Sequence, residues 1–108
     1  MRALADSLIA ATNAFDVEAA LALFAPDAVI DDPSTGDRFV GESGIRDYVT
    51  SYFVEYRTVT RLLSLKPLGK QRARLRVDFT GDFGHEVGIL DVRVDASGRL
   101  VRIDADLE

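Results

Sequence analysis

The sequence predicts an α+β domain in which helices come first and an antiparallel sheet follows. In the first half, apolar residues recur at helical spacing, and after residue 57 they alternate with polar residues at period two. Helices gathered in one part of a chain and strands in the other are typical of α+β rather than alternating α/β proteins. With 108 residues, 47% of them hydrophobic, the chain is expected to form one domain, residues 1–108, around a single core.

Three helices are predicted before the sheet. Residues 3–15 carry apolar side chains three and four positions apart: Leu4, Leu8, Ala11 and Phe15. Asp16 is a suitable N-cap for a second, short helix that "APD" (25–27) ends. The third helix covers about 42–54, and its apolar stripe consists of Ile45, Tyr48, Val49, Tyr52 and Phe53.

Five strands are predicted, the first of them in "AVIDDP" (28–33). "DPSTGDRFVG" (32–41) is rich in turn residues, and after the third helix the period-two segments are 58–66, 72–80, 86–95 and 100–107. The helices are expected to pack on one face of the resulting curved, mostly antiparallel sheet. Such a cone encloses a pocket at its open end.

Asp32 is the first candidate functional residue. Side chains in a strand alternate between faces, so Asp32 is expected on the same side as Ile30, toward the interior, and Asp31 on the other. A carboxylate aimed at an apolar interior is costly unless something there uses it. The competing interpretation is structural, because Asp-Pro is a common start of a turn.

Composition excludes several other functions. The chain has no cysteine and one histidine, His85, in a glycine-flanked turn, so we expect no metal site and no cofactor. A net charge of −5 argues against binding nucleic acid or an anionic membrane surface. No segment is apolar over the roughly 20 residues that span a bilayer, and polar residues interrupt the N-terminus, so a cytoplasmic location is expected.

A resemblance to a known family covers the whole chain. "ALALFAPDAVIDDPSTGDRFVGESGIRDYV" and the turn "DASGRL" (95–100) resemble the nuclear-transport-factor-2-like superfamily, with its cystatin-like cone, and within it the ketosteroid-isomerase-like and SnoaL-like branch. The resemblance implies the cone fold. It does not by itself imply one activity, because this fold hosts isomerases, cyclases, hydrolases, dehydratases and binding modules.

The resemblance assigns Asp32 the role of the general base of steroid isomerases. Those enzymes also stabilise the developing oxyanion with a tyrosine and a protonated aspartic acid, and the corresponding positions here are Leu8 and Leu90. One such donor is worth about 10²–10³ in rate, so efficient steroid isomerisation is not expected. Tyr48 matches a pocket-lining aromatic position and is the better candidate to replace a lost donor.

Two functions therefore fit the sequence. The first is a cofactor-independent isomerase or cyclase that acts on a small apolar carbonyl or ring compound with Asp32 as acid and base. The second is a non-catalytic module that binds a small ligand or dimerises. In either case the expected ligand contacts come from inward-facing residues: Leu8, Phe24, Ile30, Tyr48, Tyr52, Leu90 and Ile103.

A homodimer is expected through the outer face of the sheet. The strand at 86–95 carries apolar residues on both faces, with Val87 and Ile89 on one and Leu90, Val92 and Val94 on the other. Only one of these sets can face the core, so the second needs another cover.

Overall fold

A computed structural model describes all 108 residues and contains three helices and six strands. The elements follow in the order α1 (Arg2–Asn13), α2 (Val17–Leu21), β1 (Phe24–Asp32), β2 (Asp37–Val40), α3 (Gly41–Val49), a π-helical turn (Thr50–Val54), β3 (Val59–Gly69), β4 (Arg72–Gly81), β5 (Gly84–Val94) and β6 (Leu100–Leu107).

The six strands form a single sheet in the order β2-β1-β6-β5-β4-β3. All neighbours are antiparallel except β1 and β6, which run parallel. The three helices pack on one face of this curved sheet. The predicted architecture, a mostly antiparallel α+β cone, is therefore confirmed.

The core lies between the helices and the inner face of the sheet. Its fully buried side chains come from both layers, and the largest of them are Ile45, Leu75, Leu100 and Val77. On β4 and β5 the inner residues follow the period-two pattern that the sequence predicts, with Ala73, Leu75 and Val77 buried on β4 and Val92 on β5. The alternation of apolar residues thus determines which face of each strand meets the helices.

Several boundaries differ from the predictions. The first helix ends at Asn13, since Phe15 adopts a left-handed φ of 56°, a conformation that an α-helix cannot continue. The first strand begins at Phe24, not 28, because parallel pairing with Leu100 extends it through "APD". The four residues of β2 lie in a segment whose composition predicts turns, and only their pairing with β1 makes them a strand.

The third helix also changes character near its end. It is α-helical to Val49 and continues as a π-helical turn to Val54, so the predicted span of 42–54 contains two kinds of helix. π-helical turns are rare and occur frequently at functional sites. This one carries Tyr52 and Phe53, two of the side chains on the predicted inner stripe.

The outer face of the sheet is covered by ion pairs. Arg72 donates to both carboxylate oxygens of Asp91, at 2.8 and 2.5 Å. Arg102 contacts Asp104 at 2.9 Å and Asp31 at 3.3 Å. The Arg72 guanidinium is the main reason that the pKa of Asp91 lies below its usual value. Asp31, Asp91 and Asp104 on this face therefore have cationic partners.

Candidate active site

Asp32 is buried at the end of β1 and is only 7% exposed. It lies on the same face as Ile30, whereas its neighbour Asp31 points outward to Arg38 and Arg102. The Tyr48 hydroxyl donates to Asp32 Oδ2 at 2.6 Å. The Ser34 hydroxyl donates to Oδ1 at 2.6 Å, and the Ser34 amide donates to the same oxygen at 3.1 Å.

These contacts unite the two interpretations of Asp32 that the sequence leaves open. The bond from the Ser34 amide, two residues on, forms an Asx turn, which is the structural role expected of Asp-Pro. The carboxylate also lines a cavity. Asp32 thus holds the turn and faces the pocket at the same time.

The charge of Asp32 is stabilised by neutral donors alone. A carboxylate has about four acceptor positions on its two oxygens, and three donors are in place here. Oδ1 receives two of them and Oδ2 only one, so Oδ2 keeps a free lone pair. No ion pair involves this side chain, in contrast to Asp31.

Tyr48 comes from the inner stripe of α3 and is itself buried, at 9% exposure. Burial, and then the adjacent Asp32 carboxylate, raise the pKa of the Tyr48 phenol well above its usual value. Its ring packs against Phe39, Tyr52 and Phe53, with centroid distances of 4.9, 5.3 and 6.0 Å. Tyr48 is therefore a rigidly held, protonated donor to Asp32.

The cavity that contains Asp32 measures about 270 Å³ and is called the outer cavity here. Polar and aromatic residues mix in its wall: Asp32, Ser34, Thr35, Tyr48, Tyr52, Phe53, Tyr56, Thr58, Phe79, Phe83, Glu86, Leu90, Ala105, Asp106 and Leu107. Three of these, Tyr56, Phe83 and Leu107, are exposed large apolar side chains. An apolar rim of this kind suits an apolar ligand.

A second, smaller space of about 50 Å³ lies deeper, and we call it the inner cavity. Its walls are almost entirely apolar: Leu8, Ile9, Thr12, Phe24, Ile30, Tyr48, Val49, Phe53, Thr60, Phe79, Leu90 and Ile103. Four residues, Tyr48, Phe53, Phe79 and Leu90, line both cavities.

The predicted ligand contacts are divided between these two spaces. Tyr52 lines only the outer cavity, and Tyr48 and Leu90 line both. The other four line only the inner one: Leu8, Phe24, Ile30 and Ile103. Leu8 and Leu90, at the positions where steroid isomerases carry their oxyanion donors, therefore present apolar groups to the inner cavity.

Sequence reasoning missed several residues of the outer cavity. Phe79 could have been found, because it continues the inward alternation of Leu75 and Val77 along β4. Its ring lies over Gly88 on β5, where a Cβ atom would stand 2.7 Å from the ring. Ser34 and Glu86 carried no signal in the sequence, since a turn serine and an exposed strand glutamate are ordinary.

The remaining candidate residues lie outside the site or at its edge. His85 contacts Asp78 at 2.6 Å, and neither residue lines a cavity described above. Asp91 and Asp104 pair with arginines on the outer face, as the alternation predicts. Asp106, near the end of β6, borders the outer cavity.

No group of three or more histidine, aspartate or glutamate side chains is arranged to hold a metal ion. None of the helices has the length and apolar character needed to cross a membrane.

A family model described as the SnoaL-like domain matches residues 5–105. The chain belongs to this family. The resemblance inferred from "ALALFAPDAVIDDP" and its continuation is thereby confirmed. No protein of curated function matches the sequence.

Solved structures share the fold at low sequence identity. A candidate ketosteroid isomerase from Kribbella flavida is 23% identical with a TM-score of 0.85, and the match covers 99% of this chain and 76% of that one. A candidate polyketide cyclase from Sinorhizobium meliloti is 22% identical with a TM-score of 0.85, over 95% and 93%. RV0760c from Mycobacterium tuberculosis, in complex with estradiol-17beta-hemisuccinate, is 19% identical with a TM-score of 0.82, over 94% and 88%. At these identities the likeness concerns the fold.

Proposed function

We propose that this SnoaL-like protein is a cofactor-independent isomerase or cyclase for a small apolar carbonyl or ring compound, with Asp32 as general base and acid. One observation carries the proposal: a buried carboxylate without a cationic partner lines an aromatic cavity and is oriented by the Tyr48 and Ser34 hydroxyls. Firmly held carboxylates in apolar clefts are typical of acid-base sites.

The proposed chemistry begins with proton transfer from carbon. Asp32 Oδ2, which keeps a free lone pair, takes a proton from the carbon next to a carbonyl group, and the C–H electrons move into the enolate. The resulting carboxylic acid then donates a proton to a different carbon, which gives the isomer. In D₂O the acid proton exchanges with solvent between the two steps, so deuterium enters the product. Atoms and electrons balance without an oxidant or a cofactor.

Tyr48 serves as a positioning residue in this scheme. Its hydroxyl is committed to Oδ2, so it fixes the direction of the free lone pair and does not reach the substrate oxygen. Tyr52 is the better candidate to meet the enolate oxygen. It lines the outer cavity. The one side-chain hydrogen bond that reaches Tyr52 comes from the Thr58 hydroxyl and ends on the Tyr52 backbone carbonyl, so the Tyr52 hydroxyl is free.

The experiment follows deuterium exchange, so the identity of the natural product need not be known. Cyclohexenone and a bicyclic enone are incubated with the protein in D₂O, and incorporation of deuterium beside the carbonyl is measured by NMR. We expect the protein to accelerate exchange and Asp32→Asn to abolish the acceleration. Asp31→Asn is the matched control, since it changes the adjacent carboxylate on the opposite face.

Exchange that is equally fast with Asp32→Asn would exclude Asp32 as the base. Asparagine keeps an acceptor oxygen for Ser34, so the turn should survive in this variant and loss of exchange is not expected to reflect unfolding. A circular dichroism spectrum matching that of the unsubstituted protein checks this point.

A second function is favoured by a different observation. Leu8 and Leu90 place no donor in the inner cavity, so the strongest form of oxyanion stabilisation seen in steroid isomerases is missing. A non-catalytic module that binds a small apolar ligand requires no such donor. Ligand binding without accelerated exchange on either enone would support this function over the enzymatic one.

We also infer a homodimer through the outer face of the sheet. Val87 and Ile89 are half-buried apolar residues on that face, among the arginine and aspartate pairs. A second copy could cover both residues and still match charges, because both signs are present on the surface. Light scattering at micromolar concentration should give twice the monomer mass, whereas a monomeric mass would contradict the inference.

A further inference from the structure

Thr60 carries a buried hydroxyl that has no hydrogen-bond partner. It lies on β3 opposite Phe79 and is 5% exposed. The backbone of Thr60 is fully engaged with the Asn13 side chain, at 2.7 Å through its amide and 2.9 Å through its carbonyl, but its Oγ1 atom has no partner. An unpartnered buried donor or acceptor typically costs about 1–3 kcal/mol.

The Thr60 side chain lines the inner cavity, where it is the one polar group not already engaged. Thr12 donates its hydroxyl to the Ile9 carbonyl at 3.2 Å, and the Tyr48 hydroxyl is bonded to Asp32. The remaining walls are aliphatic or aromatic. At about 50 Å³ the space exceeds the roughly 10–15 Å³ that one water molecule needs.

The inner cavity adjoins the outer one. Tyr48, Phe53, Phe79 and Leu90 line both spaces, so the two cavities adjoin at these four side chains. The Phe53 and Phe79 rings meet edge to face with centroids 6.1 Å apart. A ligand that fills the outer cavity therefore contacts side chains that also border the space beside Thr60.

From this arrangement we propose that the inner cavity is a distal subsite for the leading end of the ligand. That end is a narrow apolar group that terminates in a hydroxyl or carbonyl oxygen, and the oxygen hydrogen-bonds to Thr60 Oγ1. The proposal rests on the proposed function, because both concern the same pocket. It adds the polarity and position of a ligand group other than the one that would react at Asp32.

The experiment compares two probes of nearly the same shape. β-Naphthol carries a hydroxyl at the end of a flat apolar ring system, and β-methylnaphthalene carries a methyl group at the same place. Their dissociation constants are measured by fluorescence titration with the unsubstituted protein, Thr60→Val and Thr60→Ser. Valine removes the hydroxyl while keeping the branched shape, and serine keeps the hydroxyl.

We expect Thr60→Val to weaken β-naphthol binding about three- to tenfold, the effect of one hydrogen bond, and to leave β-methylnaphthalene binding unchanged. Thr60→Ser should retain the preference for β-naphthol. Equal losses for both probes in Thr60→Val would assign Thr60 a packing role only and overturn the proposal. Unchanged β-naphthol binding in Thr60→Val, or no binding of either probe, would also overturn it.

The catalytic proposal can fail separately from this one. The probe measurements use no reacting substrate, and Asp32→Asn should keep the dependence of β-naphthol binding on Thr60. If β-naphthol binding depends on Thr60 but no deuterium exchange is detected, the distal subsite is supported and the enzymatic function is contradicted.

Discussion

Asp31 and Asp32 are neighbours on β1, yet their surroundings have almost nothing in common. Asp31 lies on the outer face within reach of Arg38 and Arg102, where it remains partly solvated. Asp32 lies inside, bonded to the Tyr48 and Ser34 hydroxyls and the Ser34 amide. The outer carboxylate is neutralised by cations, whereas the inner one is held only by neutral dipoles.

This difference extends to the two faces of the whole sheet. Arginine and aspartate side chains form ion pairs on the outer face of β4, β5 and β6, where each pair adds little stability because water screens it. Inside, a single buried carboxylate has no such compensation. The residue proposed as the general base is therefore a buried carboxylate held by hydrogen bonds without an ion pair.

The largest expected effect is on stability. Asp32→Ala removes the acceptor of three donors and leaves the buried Tyr48 hydroxyl unpaired, so it should lower the free energy of unfolding by about 1–3 kcal/mol. Asp31→Ala removes only screened outer pairs and should cost about 1 kcal/mol or less. Urea denaturation of both variants at pH 7 measures the two costs. Equal costs would mean that the two environments do not differ energetically.

Stability at alkaline pH tests the inner face through the buried Tyr48 hydroxyl. The pKa of Tyr48 is raised in the folded protein, so the unfolded chain releases this proton first, near the usual tyrosine value of about 10. Stability should therefore fall as the pH rises above that value, at up to about 1.4 kcal/mol per pH unit from this group. Tyr48→Phe has no phenol at this position, so its stability does not depend on this titration. The difference in unfolding free energy between the unsubstituted protein and Tyr48→Phe should therefore shrink as the pH is raised from about 9 to about 11. Urea denaturation at both pH values measures this, and a constant deficit would contradict it.

The smallest effect is expected on the outer face, in acid. The pKa of Asp91 is lowered by its hydrogen bonds to Arg72, so its contribution is present at neutral pH and is lost as the pH falls through the lowered value. Asp91→Asn should cost about 1 kcal/mol or less at pH 7 and make the unfolding free energy less dependent on pH below about 4. Denaturation curves at pH 3 and 7 test this, and an unchanged pH dependence would contradict it.

Much of the fold could be predicted because it depends on local periodicity. The alternation in "AVIDDP" correctly assigned Asp32 to the inner face and Asp31 to the outer face. The beginning of β1 and the existence of β2 depend on pairing between distant segments, which no local pattern encodes.

The inward-facing residues of the site could be predicted, but the hydrogen bonds between them could not. Tyr48 and Asp32 were each recognisable as inward-facing, yet their 2.6 Å hydrogen bond depends on how α3 packs over β1. Sequence reasoning treated a pocket residue and a turn residue as alternatives, whereas Asp32 both lines the cavity and accepts the hydrogen bond of the turn. The division of the pocket into two cavities arises from the packing of Phe53 and Phe79 and has no sequence signature.

Gly88 makes the size of the pocket adjustable without any change in the carboxylate. A methyl group at this position would come within 2.7 Å of the Phe79 ring, one of the side chains that separate the two cavities, and the ring would have to move. Asp32, Tyr48 and Ser34 belong to other parts of the chain and would be left in place. A substitution at residue 88 can therefore change the size of the pocket while the groups around Asp32 stay the same.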